Sequence, residues 1–116
     1  MKKIKTLKKN YEFKNVLSKK NYFGGKYIEI FIKKNKKNEN YIGIAVSSKI
    51  ANSVQRNKIK RYIRESYRNI CCNIKEGYDI IIIWKKKVEI EKASYTNINN
   101  DLINIMGKAS LLKKEE

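Results

Sequence analysis

The sequence predicts an α+β fold: a single domain built on one sheet, with helices against its core face. Three observations carry that prediction. Residues 56–73 place apolar side chains at helical period. Residues 27–32 and 41–47 alternate with period two. Residues 78–84, YDIIIIW, are apolar almost without a break, which is the pattern of a central strand covered on both faces.

In chain order, residues 1–9 are basic and read as a loose tail. Asn10 can cap a short helix over residues 11–19, with Phe13, Val16 and Leu17 on one side. Asn21 to Lys26 contains Gly24 and Gly25 and reads as a turn. In the strand 27–32, Ile28, Ile30 and Ile32 share one face, while Tyr27, Glu29 and Phe31 share the other. A polar loop, 33–40, has the look of a mobile hairpin connection to the strand 41–47. Ile42, Ile44 and Val46 give that second strand its core face. Its other face carries Gly43 and Ala45 beside Phe31, leaving room for something flat. The helical stretch then runs to about Asn73, Glu76-Gly77 turns the chain, and strand 78–84 follows. Ser94 or Thr96 caps a last helix with Ile98, Leu102, Ile105 and Met106 on one face, and Gly107 ends it. The polar residues 108–116 form a second loose tail.

Charge points to the partner. The 116 residues carry 28 basic and 11 acidic side chains, a net charge of +17. That excess opposes compaction and favours a polyanion: nucleic acid first, an anionic membrane surface second. Of the basic residues only four are arginine, and Arg56, Arg61, Arg64 and Arg68 all fall in one stretch of thirteen residues, RNKIKRYIRESYR. Lysine gives a diffuse cationic surface; the arginine fork binds phosphate bidentately and stacks on bases. At about 100° per residue, Ile59, Tyr62, Ile63, Ser66 and Ile70 share one arc, and Asn57, Lys60, Arg61, Arg64 and Arg68 the opposing one. A solvated lysine face is the blander explanation of such a run, and the confinement of arginine to it argues against that explanation.

The surroundings exclude several classes. No apolar stretch long enough for a signal peptide or a membrane span occurs, which points to a cytoplasmic protein. Cys71 and Cys72 are adjacent, so an unstrained disulfide between them is ruled out and both are expected reduced. There is no histidine to serve as a general base or to activate a cysteine.

The stretch KIANSVQRNKIKRYIRE, residues 49–65, resembles the signature of the bacterial ribonuclease P protein component, roughly K-[IL]-G-N-A-V-x-R-N-[RK]-x-K-R-x-x-R-E. Lys49, Ile50, Asn52, Val54, Arg56, Asn57, Lys58, Lys60, Arg61, Arg64 and Glu65 match it. LKKNYEF near the start, IGIAVS before the signature and YDIIII after it extend the likeness over almost the whole chain. Ala51 and Ser53 stand where the family usually has glycine and alanine, Ser48 replaces a frequent lysine, and Leu17 occupies an often aromatic position.

The resemblance implies a four-stranded sheet with three helices in the order α-β-β-β-α-β-α, with a left-handed β-α-β crossover. The fourth strand would come from the piece around Tyr22 and Phe23. It implies a protein that assists a catalytic RNA, which uses magnesium ions, in removing the 5′ leader of precursor tRNA. Residues expected to bind RNA are Lys49, Asn52, Arg56, Asn57, Lys58, Lys60, Arg61, Arg64 and Arg68. A leader cleft is expected from Phe13, Leu17, Tyr27 and Phe31. No catalytic residue, metal ligand or obligate protein partner is expected of the chain itself. A ribosomal-protein-like RNA-binding module is the alternative.

Overall fold

The structure is a computed structural model and describes residues 4–19 and 21–113. Strand β1 (Lys5–Thr6) precedes helix α1 (Asn10–Ser18). Strands β2 (Tyr22–Gly24), β3 (Ile28–Lys34) and β4 (Tyr41–Ala45) follow. Helix α2 (Ser53–Ile70) runs into a 3-10 turn, Cys71–Asn73, and then into β5 (Tyr78–Trp84). A second 3-10 turn, Ile90–Lys92, leads to α3 (Tyr95–Lys108).

The sheet order is β1-β4-β5-β3-β2. The expected hairpin of β3 with β4 does not form, because β5 lies between them, antiparallel to β3 and parallel to β4. The aliphatic run 80–83 gains more from the middle of the sheet, where both its edges and both its faces are covered. The loop from β3 to β4 instead passes over the start of β5. Asn35 Nδ2 donates to Asp79 Oδ1 at 3.0 Å, and Asn40 Oδ1 accepts from the Tyr78 N–H at 2.8 Å. The connection β4-α2-β5 is a β-α-β crossover between adjacent strands.

β2 is the short strand the resemblance implied. β1 makes a fifth, one more than expected, pairing parallel with β4. It draws most of the N-terminal tail into the fold: Leu7 is buried, its N–H donates to Ile42 O at 2.8 Å, and Lys5 pairs with Glu39 at 2.7 Å. The C-terminal tail is corrected likewise. Leu111 is buried, Leu112 bridges to Ile74, and the Lys113 N–H donates to Asn73 O at 2.7 Å. Apolar Leu7 and Leu111 gain about 1.5–3 kcal/mol each by burial, which a loose tail forgoes. Residues 1–3 and 114–116 of the expected tails lie outside the described residues.

The sheet has two unequal faces. Ile28, Ile30, Ile32, Ile42, Val46, Ile80, Ile82 and Trp84 form the main core with Ile59 and Ile63 of α2 and Ile98, Leu102, Ile105 and Met106 of α3. The opposite face holds a small cluster of Leu7, Val16 and Ile81, with half-buried Phe13, Phe31, Tyr41 and Ile83 around it. α1 lies on this second face, so the helices are not confined to the main core side.

The helix ends follow their sequences. Asn52 caps α2, its side-chain oxygen accepting from the Gln55 N–H at 2.9 Å, and Gln55 Oε1 accepts in return from the Asn52 N–H. Ser94, rather than Thr96, caps α3. That helix continues through Gly107 to Lys108, so Gly107 is not its stop. Asn10 lies inside α1 and does not cap it. The Glu12 carboxylate accepts instead from the N–H groups of Lys9 at 2.9 Å and Lys8 at 3.1 Å, and these bonds lower its pKa.

One buried carboxylate joins the layers. Asp101 of α3 accepts the successive N–H groups of Lys26, Tyr27 and Ile28 at 2.8, 2.8 and 2.9 Å. Successive N–H groups of an extended strand point to opposite edges. Their convergence on one carboxylate therefore means that the backbone curls at 26–28, where β3 begins.

Candidate RNA interface

The outer face of α2 is built as its period predicts. Ile59, Ile63, Ser66 and Tyr67 are buried, and Ser66 Oγ donates to Asn99 Oδ1 of α3 at 2.8 Å, fixing the helix in rotation. Asn57, Lys58, Arg61, Arg64 and Arg68 are exposed, and Lys60 is half-buried. Asn57, Lys58, Lys60, Arg61 and Arg64 line one open groove, with Val54 at its head. Val54 is 75% exposed, which is unusual for an aliphatic residue, and no periodicity marked it as part of the surface.

Arg61, Arg64 and Arg68 stand three and four residues apart, about 4.5 and 6 Å along the axis. Like charges at these spacings destabilise a helix by about 0.2–0.5 kcal/mol per pair. Among the described residues no carboxylate forms an ion pair with any of them. Such a cationic ridge is relieved by a polyanion lying across it.

Two of the expected RNA-binding residues have internal tasks. Arg56 Nη1 donates to Ala51 O at 2.9 Å and so braces the loop that enters α2. Asn52 spends its side-chain oxygen on the cap. Lys49 is exposed on that same loop, with its N–H bonded to Ser47 Oγ at 3.2 Å.

The second feature is a trough beside α1. Register places Tyr22, Phe31, Ile81 and Gly43 in one row across four strands, and Gly24, Glu29, Ile83 and Ala45 in the next row. The room expected over Gly43 is filled by Phe13, since a Cβ at Gly43 would lie 2.5 Å from Phe13 Cζ. Phe13 is therefore a wall, and the glycine is what lets its ring lie against the sheet. Leu17, four residues after Phe13 on α1, is 38% exposed. Phe31 is half-buried, with its ring centroid 5.2 Å from that of Tyr22. Tyr22 lies along its own strand over Gly24, where a Cβ would come 2.7 Å from the Tyr22 hydroxyl. That hydroxyl donates to Glu29 Oε2 at 2.9 Å.

Tyr22 was missed because residues 21–26 read as a turn; the only signal was an aromatic two residues before a glycine. Tyr27, expected in the cleft, is elsewhere. Its ring stacks on Trp84 at 6.2 Å and 17° and packs against the main core. The curl at Asp101 breaks the alternation that would have put Tyr27 on the Phe31 face. The trough is not isolated from α2, for Ala45 closes β4 at this end of the sheet and residues 46–52 lead directly into the helix.

The family model for Ribonuclease P matches residues 1–110. The chain belongs to the ribonuclease P protein family. It is 37% identical over 114 residues to the ribonuclease P protein component of Natranaerobius thermophilus, covering 98% of this chain and 97% of that one. It is 38% identical over 109 residues to that of Clostridium kluyveri, covering 92% and 96%. The solved structure of the Staphylococcus aureus RNase P protein superposes with a TM-score of 0.83 at 29% identity, covering 96% of this chain and all of that one. The Thermotoga maritima RNase P protein gives 0.80 at 26%, covering 90% and 96%. The chain is thus a protein subunit of ribonuclease P, the endoribonuclease of tRNA processing, and its partner is the RNase P RNA that carries the chemistry.

Cys71 is buried and Cys72 exposed, both without a disulfide. Among the described residues no group of three or more histidine, cysteine or acidic side chains could hold a metal ion. The magnesium implied by the family therefore finds no donor set here. Nor is any helix among the described residues long and apolar enough to cross a membrane.

Proposed function

We propose that the exposed face of α2 docks on the catalytic RNA while the trough beside α1 holds the 5′ leader of precursor tRNA. Arg61, Arg64, Arg68, Lys58, Lys60 and Asn57 would meet phosphates of the RNA, with Lys49 at the junction between the two surfaces. Phe31, Tyr22 and Leu17 would receive unpaired bases, which stack on aromatic rings with little sequence preference. Magnesium stays with the RNA; the protein neutralises phosphates that would otherwise demand more of it. The setting is the cytoplasm, where precursor tRNA is processed.

The observation that carries this reading is the half-exposed Phe31–Tyr22 pair on the sheet face that the main core does not use. It is tested by Phe31→Ala in the reconstituted holoenzyme. Precursor tRNA should bind about 1–3 kcal/mol more weakly, the worth of one stacked base, with mature tRNA unaffected. An unchanged ratio of the two affinities, with a lowered Tm, would make Phe31 only a packing residue. Restored leader cleavage at low magnesium, on adding the chain to its matching RNA, separates this function from that of a ribosomal-protein-like module.

A further inference from the structure

The main-core face of the sheet is not covered to its end. α3 stops at Lys108, Ser110 turns the chain with a φ of 59°, and residues 111–113 bond back to Asn73 and Lys75 instead of running on across β3. An open notch of about 540 Å³ is left between that segment and the ends of β2 and β3. Small-molecule sites occupy roughly 300–1,000 Å³. The floor of the notch is apolar, with half-buried Phe23 and Tyr78 beside buried Ile32 and Leu111. Its rim carries Lys19, Lys33, Lys34 and Lys36, and no acidic residue lines it. Among the described residues no carboxylate forms an ion pair with any of the four.

The loop that carries this rim is braced. The Asn35 N–H donates to Gly77 O at 2.9 Å. Asn35 Nδ2 donates to Glu39 O and Asp79 Oδ1, both at 3.0 Å, and Asn35 Oδ1 accepts from the Lys37 N–H at 2.8 Å. Lys36 has a φ of 60°, a left-handed conformation that glycine or asparagine adopts at lower cost. Strain kept at a cationic residue points to a use for its side chain. Register sets where the loop lies. Lys33 is two residues beyond Phe31, and its row, Lys33, Asp79 and Tyr41, is at the end of the sheet opposite Ala45 and the entry to α2. An RNA strand leaving the trough at that end meets these lysines. Each internal nucleotide brings one phosphate charge. The first nucleotide of an unprocessed transcript brings a triphosphate, several charges at one point, and a base with no chain on its 5′ side.

We propose that the notch binds a nucleoside 5′-triphosphate, supplied by the first nucleotide of a precursor transcript whose leader has crossed the trough. Phe23 and Tyr78 receive the base. Lys19, Lys33, Lys34 and Lys36 hold the phosphates as point charges. The source of the nucleotide rests on the trough being the leader site; the chemistry of the notch does not.

The experiment titrates reconstituted holoenzyme with precursor tRNAs whose leaders grow one nucleotide at a time and begin in a 5′-triphosphate or a 5′-hydroxyl. At one leader length the triphosphate should bind about ten-fold tighter, the worth of a charge-assisted bond, and the advantage should fade in longer leaders. Lys34→Ala with Lys36→Ala should bring it below about two-fold, with 5′-hydroxyl precursor and mature tRNA bound as before. Lys36→Gly removes a cation and frees the left-handed backbone, so it should lower the advantage without lowering Tm. Lys86→Ala with Lys87→Ala removes the same charge beyond the other end of β5 and should keep the advantage. Equilibrium dialysis of the chain alone reads the notch without a leader. Guanosine triphosphate should be held about ten-fold more tightly than inorganic triphosphate, which lacks the ring.

No triphosphate advantage at any leader length, one that survives Lys34→Ala with Lys36→Ala, or one lost equally in Lys86→Ala with Lys87→Ala would each overturn the proposal. Equal binding of guanosine triphosphate and inorganic triphosphate would remove the base from the notch and overturn it as well. If free guanosine triphosphate binds through Lys34 and Lys36 while no leader shows an advantage, the ligand is the free nucleotide and the transcript end is wrong. Phe31→Ala in parallel tells this failure from that of the leader site. If Phe31→Ala lowers the precursor-to-mature ratio while the 5′ end has no effect, the leader site stands and the notch inference falls. If Phe31→Ala leaves that ratio unchanged while the lysine-dependent advantage persists, the trough reading falls and the notch remains.

Discussion

Asp101→Asn tests what holds the trough's rim in place. The carboxylate receives three backbone N–H groups, Lys26 on Oδ1 and both Tyr27 and Ile28 on Oδ2, while it is only 5% exposed. Hydrogen bonds to a charged acceptor contribute about 1.5–3 kcal/mol each. Asparagine can put its one oxygen in the Oδ2 position, keeping two bonds at about half strength. Its amide nitrogen then faces the Lys26 N–H, donor against donor. One bond lost and two weakened amount, at the lower end of that range, to about 3 kcal/mol. With an unfolding entropy of about 2.1 cal/mol/K per residue, the 116 residues convert that into a fall in Tm of about 12 °C. Thermal melting followed by circular dichroism reads it directly. Asp101→Ala should fall further, since the buried Ile28 N–H is then left without an acceptor. A fall under about 3 °C for both variants (below 1 kcal/mol) would refute the clamp. The same loss should loosen β2 against α3 and weaken precursor tRNA binding more than RNase P RNA binding.

Other outcomes follow from the same geometry. Arg61→Ala or Arg64→Ala should weaken binding to the RNase P RNA by about 1–3 kcal/mol without lowering Tm, and Arg64→Lys should recover only part of it; filter binding in which lysine replaces arginine at no cost would remove the case for the fork. Affinity for that RNA should fall steeply as potassium is raised, because phosphates release counterions when the cationic helix meets them; a flat titration would deny electrostatics the leading part. Burial pushes the Tyr67 hydroxyl up to about 12, against about 10 in the unfolded chain. Its contribution to stability is thus complete below pH 10 and lost as pH rises toward 12, since only the unfolded chain ionises there readily. The difference in ultraviolet absorbance titration between wild type and Tyr67→Phe should show one phenol ionising near that higher pH, and one titrating near 10 would mean the side chain is hydrated.

What the sequence disclosed follows the range of the interaction involved. α2 was legible because its burial and charge repeat within a few residues, and Ile59, Ile63 and Arg64 fall where the period puts them; its start at Ser53, capped by Asn52, lies ahead of the periodic stretch. The strands were legible one by one but their pairing was not. A polar loop between two alternating segments looks the same whether they pair with each other or flank a third, and nothing near residues 33–40 says that residues 78–84 come between. β1 escaped because Lys5 and Thr6 are both exposed and are held by backbone bonds that leave no apolar pattern. At the candidate site, alternation and helical phase put Phe31 on the face away from the main core and Leu17 on the exposed side of α1, and both stand there. Tyr27 was not, because the alternation ends at a carboxylate more than seventy residues away in the chain. Tyr22 gains its part only from Glu29 and Gly24, neither of which announces it.

The late arrival of β5 has a consequence for how the protein comes to exist. Ile81 and Ile83 are the floor of the trough, and they join strands that carry its other parts: Phe31 on β3, Gly43 and Ala45 on β4. A ribosome that has released residues 1–77 has already delivered every arginine and each aromatic of the trough, yet β3 and β4 then stand with a strand-wide gap between them. Contacts so distant in sequence close slowly. A nascent or truncated chain ending before Tyr78 would therefore carry the positive charge that attracts RNA without the assembled trough proposed to hold the leader, and RNA meeting it would find a cation before it finds a partner.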